Sequence, residues 1–316
     1  MVSKRPPPRS SGASTRAKDA SPRTEPRPRR DFTDPAPVAG VTIEQLRISD
    51  FGSAGDFGAR AHYEDPSFYG QAYRQRRHDI DYYVRAARDA KGPVLEYGVG
   101  NGRIALHVAR AGVEIEGVDL SQPMLDDFRR KLETEPPSVR RRVTLHHGDM
   151  RELELQRRFA LVTVPFNAFL HLYTRRDVEA FLARVRAHLL PEGTLLFDFS
   201  IPSPGDLVRD PELRFPSAPL RDPVSGGEVA YAERFEYDPL RQLLLVRIEL
   251  TAPDGSGLRT MPLTHRQFFP REMEALLHYN GFEQIFFTAD FTDLPLDRHV
   301  DSIVVRARLK SAGDGA

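Results

Sequence analysis

Residues 93–112, PVLEYGVGNGRIALHVARAG, compress a strand, a turn with three alternating glycines and a helix into one stretch. Pro93 to Tyr97 is an apolar run of strand length, and Arg103 to Ala111 reads as a helix closed by Gly112. A strand feeding a helix through so tight a turn is the repeating unit of an α/β sheet, and the chain goes on repeating it. Val113 to Val118 reads as a second strand. Ser121 then caps a helix with Pro123 in its first turn and Met124, Leu125, Phe128 and Leu132 on one face. Val143 to His147 and Phe159 to Val164 read as strands three and four. Thr174-Arg175-Arg176-Asp177 has the form of a capping box. It opens a helix on which Val178, Phe181, Leu182, Val185 and Leu189 share a face. Gly193 follows, and Thr194 to Phe199 is the fifth strand. The alternation predicts a doubly wound α/β fold with a parallel sheet covered by helices on both faces.

The pattern breaks after the fifth strand. Residues 201–225 read as a Pro-rich loop, and three longer alternating runs follow near 228–238, 241–251 and 258–269. Asp238-Pro239 and Asp254-Gly255 sit between them, which predicts an antiparallel meander inserted into the α/β core. Pro270 starts a last helix carrying Met273, Leu276 and Leu277, ended by Gly281. Two strands near 282–288 and 301–308 complete the core. At the other end, residues 1–40 hold nine Lys/Arg, four Asp/Glu, eight Pro and five Ser. Such an arm has too little apolar surface to offset its ordering entropy, so a disordered basic tail is expected. The organisation read is a tail over 1–40, a lead-in segment over 41–92, a core of 93–200 and 270–310, and an insertion over 201–269.

Glycines at 98, 100 and 102 let the backbone bend and approach a ligand that side chains would block. Dinucleotide enzymes use a similar turn, but theirs places a further Gly where this chain has Arg103, and does not call for an acid such as Glu96 at the strand end. Asp119 ends the second strand, where a carboxylate can accept both hydroxyls of a ribose, and Asp149 follows the third. The carboxyl ends of adjacent parallel strands converge on one crevice, so Glu96, Asp119 and Asp149 are expected along one edge of it. Each also has a structural use: Asp119 as a helix cap, Asp149 in a turn.

With these residues in hand, the stretch from about 60 to 200 resembles the class I S-adenosylmethionine-dependent methyltransferases. The blocks that carry the resemblance are VLEYGVGNGRIAL, GVDLSQPML, HHGDMREL, FALVTVPFNAFLHLYT and LLPEGTLLFDFS, in the family's order and spacing. The resemblance implies a Rossmann-like, seven-stranded sheet whose last strand is antiparallel. It implies S-adenosyl-L-methionine as methyl donor and S-adenosyl-L-homocysteine as product. Gly98, Gly100 and Gly102 would border the methionine part and Glu96 its amino group. Asp119 and Leu120 would lie at the ribose, and Asp149 with Met150 at adenine. Val99 and Asn101 depart from the residues many members carry there, Cys or Ala and Thr. In some members, including small-molecule N-methyltransferases related to glycine N-methyltransferase, an N-terminal segment folds over the cofactor. Tyr63, Tyr69 and Arg77 match that segment by position, which would make residues 41–92 a lid. The loop after the fourth strand faces the methyl group in this family. That marks His171 as a base or substrate anchor and Asn167 as its hydrogen-bonding companion, with His265 in the meander a more distant candidate. The meander itself is read as a substrate lid, with Tyr231, Phe235, Tyr237, Phe268 and Phe269 as possible aromatic lining.

Composition removes other chemistries. The chain has no Cys, which excludes thiolate metal sites, iron–sulfur clusters, Cys nucleophiles and the radical branch of adenosylmethionine chemistry. His146 and His147 are adjacent on a strand and point to opposite faces, so no metal site is expected. There is no GxSxG elbow and no GxxxxGK[ST] phosphate loop. Lys+Arg and Asp+Glu tie at 45 each, and Val164-Pro165-Phe166-Asn167 lacks the Asn/Asp-Pro-Pro-aromatic signature of enzymes that methylate exocyclic base amines. The acceptor expected is a small molecule, methylated on N or O, with nucleic acid disfavoured. No apolar run reaches the ~18 residues of a membrane helix, so a cytoplasmic protein is expected. Two alternatives stay open on sequence alone: a nicotinamide-dependent oxidoreductase, and a protein that binds S-adenosylmethionine without turnover.

Overall fold

All five strands expected between residues 93 and 200 form: β1 (Val94–Tyr97), β2 (Ile115–Asp119), β3 (Val143–His147), β4 (Phe159–Val164) and β5 (Leu189–Ser200). The computed structural model describes residues 62–311 except 74–75, 223–224 and 253–255. The tail expected over 1–40, the lead-in as far as residue 61 and the Asp254-Gly255 turn lie outside the described residues. β1 pairs in parallel with both β2 and β4, so the chain winds away from β1 in two directions. Such a reversal of strand order opens a crevice at the carboxyl ends of the strands. Two late strands, β10 (Phe282–Ala289) and β11 (Ser302–Leu309), extend the sheet beyond β5, giving the order β10-β11-β5-β4-β1-β2-β3. β11 runs antiparallel to both its neighbours, as the resemblance implied.

Helices cover both faces: α1 (Pro66–Ala72), α2 (His78–Asp89), α3 (Ala105–Arg110), α4 (Gln122–Glu133), α5 (Arg175–His188) and α6 (Pro270–Tyr279). The caps follow the sequence. Ser121 accepts the Met124 amide at the start of α4, and Thr174 with Asp177 closes a reciprocal capping box on α5. One apolar cluster packs α5 and α6 on the sheet through Phe181, Leu182, Phe197 and Met273; the other packs α2, α3 and α4 through Tyr83, Val108 and Phe128. One boundary differs from expectation. β5 begins at Leu189, directly after α5, and runs through Pro191-Glu192-Gly193, so Leu189 belongs to the strand.

The insertion is a four-stranded antiparallel sheet in the order β6-β7-β8-β9: β6 (Phe215–Arg221), β7 (Glu228–Asp238), β8 (Leu243–Thr251) and β9 (Arg259–Arg266). β6 lies where sequence reading expected only loop. Its Pro216 and Pro219 are tolerated because the strand is an edge with a register shift between Ser217 and Leu220. One face of this sheet packs on α1: Phe68 is buried among Phe235, Leu244, Val246 and Leu263, and Arg259 pairs with Asp65 at 2.9 Å. The N-terminal segment is thus fastened to the insertion.

Candidate active site

The glycine turn joins β1 to α3 with Gly98, Gly100 and Gly102 all in the left-handed region, at φ +68°, +54° and +80°. A Cβ on Gly102 would lie 2.3 Å from the Phe128 ring, so this glycine exists to let α4 close on the turn. A Cβ on Gly100 would meet only the tip of Met124, at 3.2 Å. Gly98 and Gly100, but not Gly102, line a cavity of about 400 Å³ at the carboxyl ends of β1 to β4.

Asp119 holds this turn to the end of β2. Its Oδ2 accepts the Gly100 amide at 2.6 Å and its Oδ1 accepts the Ser121 amide at 2.8 Å. Burial raises its pKa, against the opposite pull of those amides. Leu120, Asp149 and Met150 continue the same wall, with Tyr63 and Tyr69 across from it. Asp149 is gripped by Arg151, whose Nη2 reaches Oδ2 at 2.6 Å. Ser121 Oγ donates to the Tyr63 carbonyl at 3.0 Å, tying the N-terminal segment to the rim.

Behind the turn lies a second small cavity of about 20 Å³, lined by Glu96, Gly98, Gly100, Tyr69, Arg103 and Phe166. Glu96 is 2% exposed, and its Oε2 has no hydrogen-bond partner among the described residues. Burial pushes its pKa up to about 8, despite the nearby Arg103. Arg103 makes a two-pronged bond to the fully buried Asp79, Nη1 to Oδ1 at 2.9 Å and Nη2 to Oδ2 at 2.5 Å. Burial alone would raise the Asp79 pKa, but this pairing wins and holds it below its ordinary value. The guanidinium carbons of Arg76 and Arg103 lie 4.6 and 4.8 Å from the Phe166 ring centroid. Arg77, the arginine expected here from sequence, is exposed at the start of α2 and off both of these cavity walls.

The loop after β4 carries two consecutive left-handed residues, Phe166 at φ +58° and Asn167 at φ +63°. Asp198 on β5 fixes the first by accepting the Phe166 amide at 2.8 Å. Ser200 fixes the second: its amide donates to Asn167 Oδ1 at 2.7 Å, and Asn167 Nδ2 donates to its hydroxyl at 3.0 Å. The Asn167 carboxamide is therefore a latch between β4 and β5, and it does not line the cavity. His171 does line it, and sits between two phenols. His171 Nδ1 lies 3.0 Å from the Tyr173 hydroxyl, which also contacts Thr264 Oγ1 at 2.7 Å. Its Nε2 lies 2.9 Å from the Tyr63 hydroxyl. Burial holds the His171 pKa down to about 3, so the ring is neutral.

Residues 94–193 match the family model of a methyltransferase domain. A dTDP-3-amino-3,6-dideoxy-alpha-D-glucopyranose N,N-dimethyltransferase of Streptomyces fradiae is 34% identical over 129 residues, 41% of this chain and 48% of that protein. The chain thus spans about half the length of that relative. The solved CcbJ methyltransferase of Streptomyces caelestis matches over 80% of this chain and 99% of its own, with a TM-score of 0.67 and 25% identity.

Residues 94–193 are thus similar to a methyltransferase domain.

The glycopeptide N-methyltransferase MtfA, solved with S-adenosylmethionine bound, matches this chain at 25% identity and a TM-score of 0.50, over 73% of this chain and 93% of its own. Of the residues read from sequence, the structure gathers Tyr63, Tyr69, Gly98, Gly100, Asp119, Leu120, Asp149, Met150 and His171 on one cavity, with Glu96 just behind it. Gly102, Asn167 and Arg77 stand off that cavity. The aromatic residues of the insertion do not line it either: Phe235 shares an apolar cluster with Phe68, Tyr231 and Tyr237 pack against that cluster, and Phe268 is buried against Phe169. Phe269 is partly exposed where α6 begins. His265 is half-buried on β9, with its ring 5.2 Å from that of His171. Sequence reading missed Arg76, Arg151 and Asp198; Arg76 differed from Arg77 only by the helix start that turns one inward.

Proposed function

We propose that this protein moves a methyl group from S-adenosylmethionine to an amine nitrogen of a small molecule, with an amino sugar as the favoured class. The observation that carries the choice of nitrogen is the state of His171. With its pKa held down to about 3, it is too weak a base to take a proton from a hydroxyl acceptor. A neutral amine brings its own lone pair and needs no such base. The names of the Streptomyces fradiae relative and of MtfA specify nitrogen as well.

The residues present fit the cofactor. The buried, unpartnered Oε2 of Glu96 suits the ammonium of the methionine part, and Arg103, on the same small cavity, would stand near its carboxylate in the place expected of Arg77. Asp119 would hold the ribose hydroxyls with Leu120 beside it, and Asp149 with Met150 would meet adenine. Gly98 and Gly100 leave room for the chain between them. When bound, the cofactor supplies an electrophilic methyl on a positively charged sulfur. Tyr63, Tyr69 and His171 then form the wall that holds the incoming amine in line with that methyl. Positioning of this kind can contribute ~7–11 kcal/mol to the rate. The proton shed by the methylated amine would pass to water, because His171, enclosed by Tyr63 and Tyr173, is not placed to take it. The N-terminal segment from Tyr63 to Tyr73, fastened to the insertion through Phe68, acts as the lid.

Methyl transfer to matched 3-amino and 3-hydroxy sugar nucleotides tests the proposal. The amine is expected to be methylated, with adenosylhomocysteine released. Methylation of the hydroxyl compound alone would overturn it, and release of no adenosylhomocysteine with any acceptor would leave a binding protein.

A further inference from the structure

Asp149 and Asp177 come from distant parts of the chain and are joined by one side chain. Arg151 Nη2 donates to Asp149 Oδ2 at 2.6 Å and its Nε to Oδ1 at 3.0 Å, while its own backbone amide donates to Oδ1 at 2.8 Å. The remaining prong, Nη1, donates to Asp177 Oδ1 at 2.7 Å. Asp177 is itself immobilised: its Oδ2 accepts both the amide and the hydroxyl of Thr174, at 2.9 and 2.8 Å, in the capping box of α5. The planar guanidinium fork matches a carboxylate edge-on, so this contact fixes orientation as well as position. Asp149 lies in an irregular turn after β3, and Arg151 anchors it to the start of a 14-residue helix. Arg151 also lines the main cavity, directly beside the carboxylate it holds.

We infer that Arg151 is a positioning residue that aims the Asp149 carboxylate at the exocyclic amine of adenine, and so makes the site select adenosyl over inosyl cofactors. The inference rests on the adenine reading of Asp149. An adenine amine donates to a carboxylate. Hypoxanthine offers a carbonyl oxygen at the same place, and two acceptors repel. The discrimination needs the carboxylate held in place, because one free to rotate toward water can yield to either ring.

Calorimetric titration of the full chain with S-adenosylhomocysteine and S-inosylhomocysteine tests this, on wild type, Arg151→Met and Arg151→Lys. Wild type is expected to prefer the adenosyl compound by roughly 10-fold or more, the scale of one hydrogen bond to a charged group. In Arg151→Met the preference should shrink below about 3-fold while inosyl affinity is retained, with Arg151→Lys intermediate because ammonium lacks the fork. An undiminished preference in a folded Arg151→Met overturns the inference. So does an equal loss for both ligands, which would make the bridge purely structural. If Arg151→Met does not fold, Arg151→Lys decides by the same comparison. A wild type that binds both ligands alike removes the adenine reading and this inference together, while leaving adenosylmethionine as cofactor. A wild type that binds neither contradicts the proposed function itself.

Discussion

The hydroxyl of Tyr63 lies 2.9 Å from Nε2 of His171, so the segment leading into α1 meets the loop after β4 on the wall of the main cavity. On the other side of the same imidazole, Nδ1 lies 3.0 Å from the Tyr173 hydroxyl, which holds the plane of the ring. His171 and Tyr63 act as one wall. Tyr63→Phe and His171→Asn should each lower kcat by about 10-fold or more, the scale at which misplaced reactants cost rate, and leave adenosylhomocysteine affinity within about 3-fold. Steady-state kinetics with calorimetry checks this split.

Glu96 gives a prediction about protons. With a pKa of about 8, it is mostly protonated in the empty protein at pH 7. An ammonium placed against its unpartnered Oε2 favours the carboxylate, so binding adenosylhomocysteine should release close to one proton, ~0.9 by linkage. Calorimetry at pH 7 in buffers of different ionisation enthalpy measures that release, and Glu96→Gln should abolish it. The sign of the stability effect follows. Because the folded pKa is raised from its ordinary value of 4.5, the contribution of Glu96 is complete below that value and is lost as pH rises toward 8.

Histidines act in the opposite sense. His62 is held down to about 4 and His171 to about 3, both by burial, against an unfolded value of 6.5. Between those values the unfolded chain binds more protons, so stability falls as pH drops below 6.5 and is flat in this respect above it. Melting temperature measured from pH 8 to pH 4 should show the decline, and His171→Asn should make it shallower.

Gly100 and Gly102 look alike in sequence but should respond differently. Gly102→Ala drives a methyl into Phe128 at a backbone φ of +80° and should cost about 2–4 kcal/mol of stability. Gly100→Ala meets only the flexible tip of Met124, and its main loss should be in cofactor affinity. Denaturant unfolding and calorimetry on the two variants separate these effects.

Much of the fold was legible because β1 to β5 and their helices carry strong periodicity, clear caps and short turns. The acids at 96, 119 and 149 were legible because a parallel sheet brings its strand ends to one crevice. Other features depend on contacts far along the chain. Asn167 looks like a polar loop residue until Ser200, 33 positions away, takes both ends of its amide. Asp198 sits inside an apolar strand, and its purpose shows only once Tyr83 donates to it at 2.6 Å and Phe166 is bent onto it. Arg76 and Arg77 are chemically the same, and only the start of α2 separates their directions. β6 was hidden by its prolines, which an edge strand accepts and a central strand does not.

The carboxylate that holds the glycine turn offers the most direct measurement. Asp119 binds the Gly100 and Ser121 amides and faces the main cavity, where it is assigned to the ribose hydroxyls. Titration of wild type and Asp119→Ala with S-adenosylhomocysteine, and of wild type with NAD, examines that assignment. The prediction is one site in wild type, a loss of at least ~10-fold in folded Asp119→Ala, and no binding of NAD. Full affinity in folded Asp119→Ala, or binding of NAD without S-adenosylhomocysteine, would contradict it.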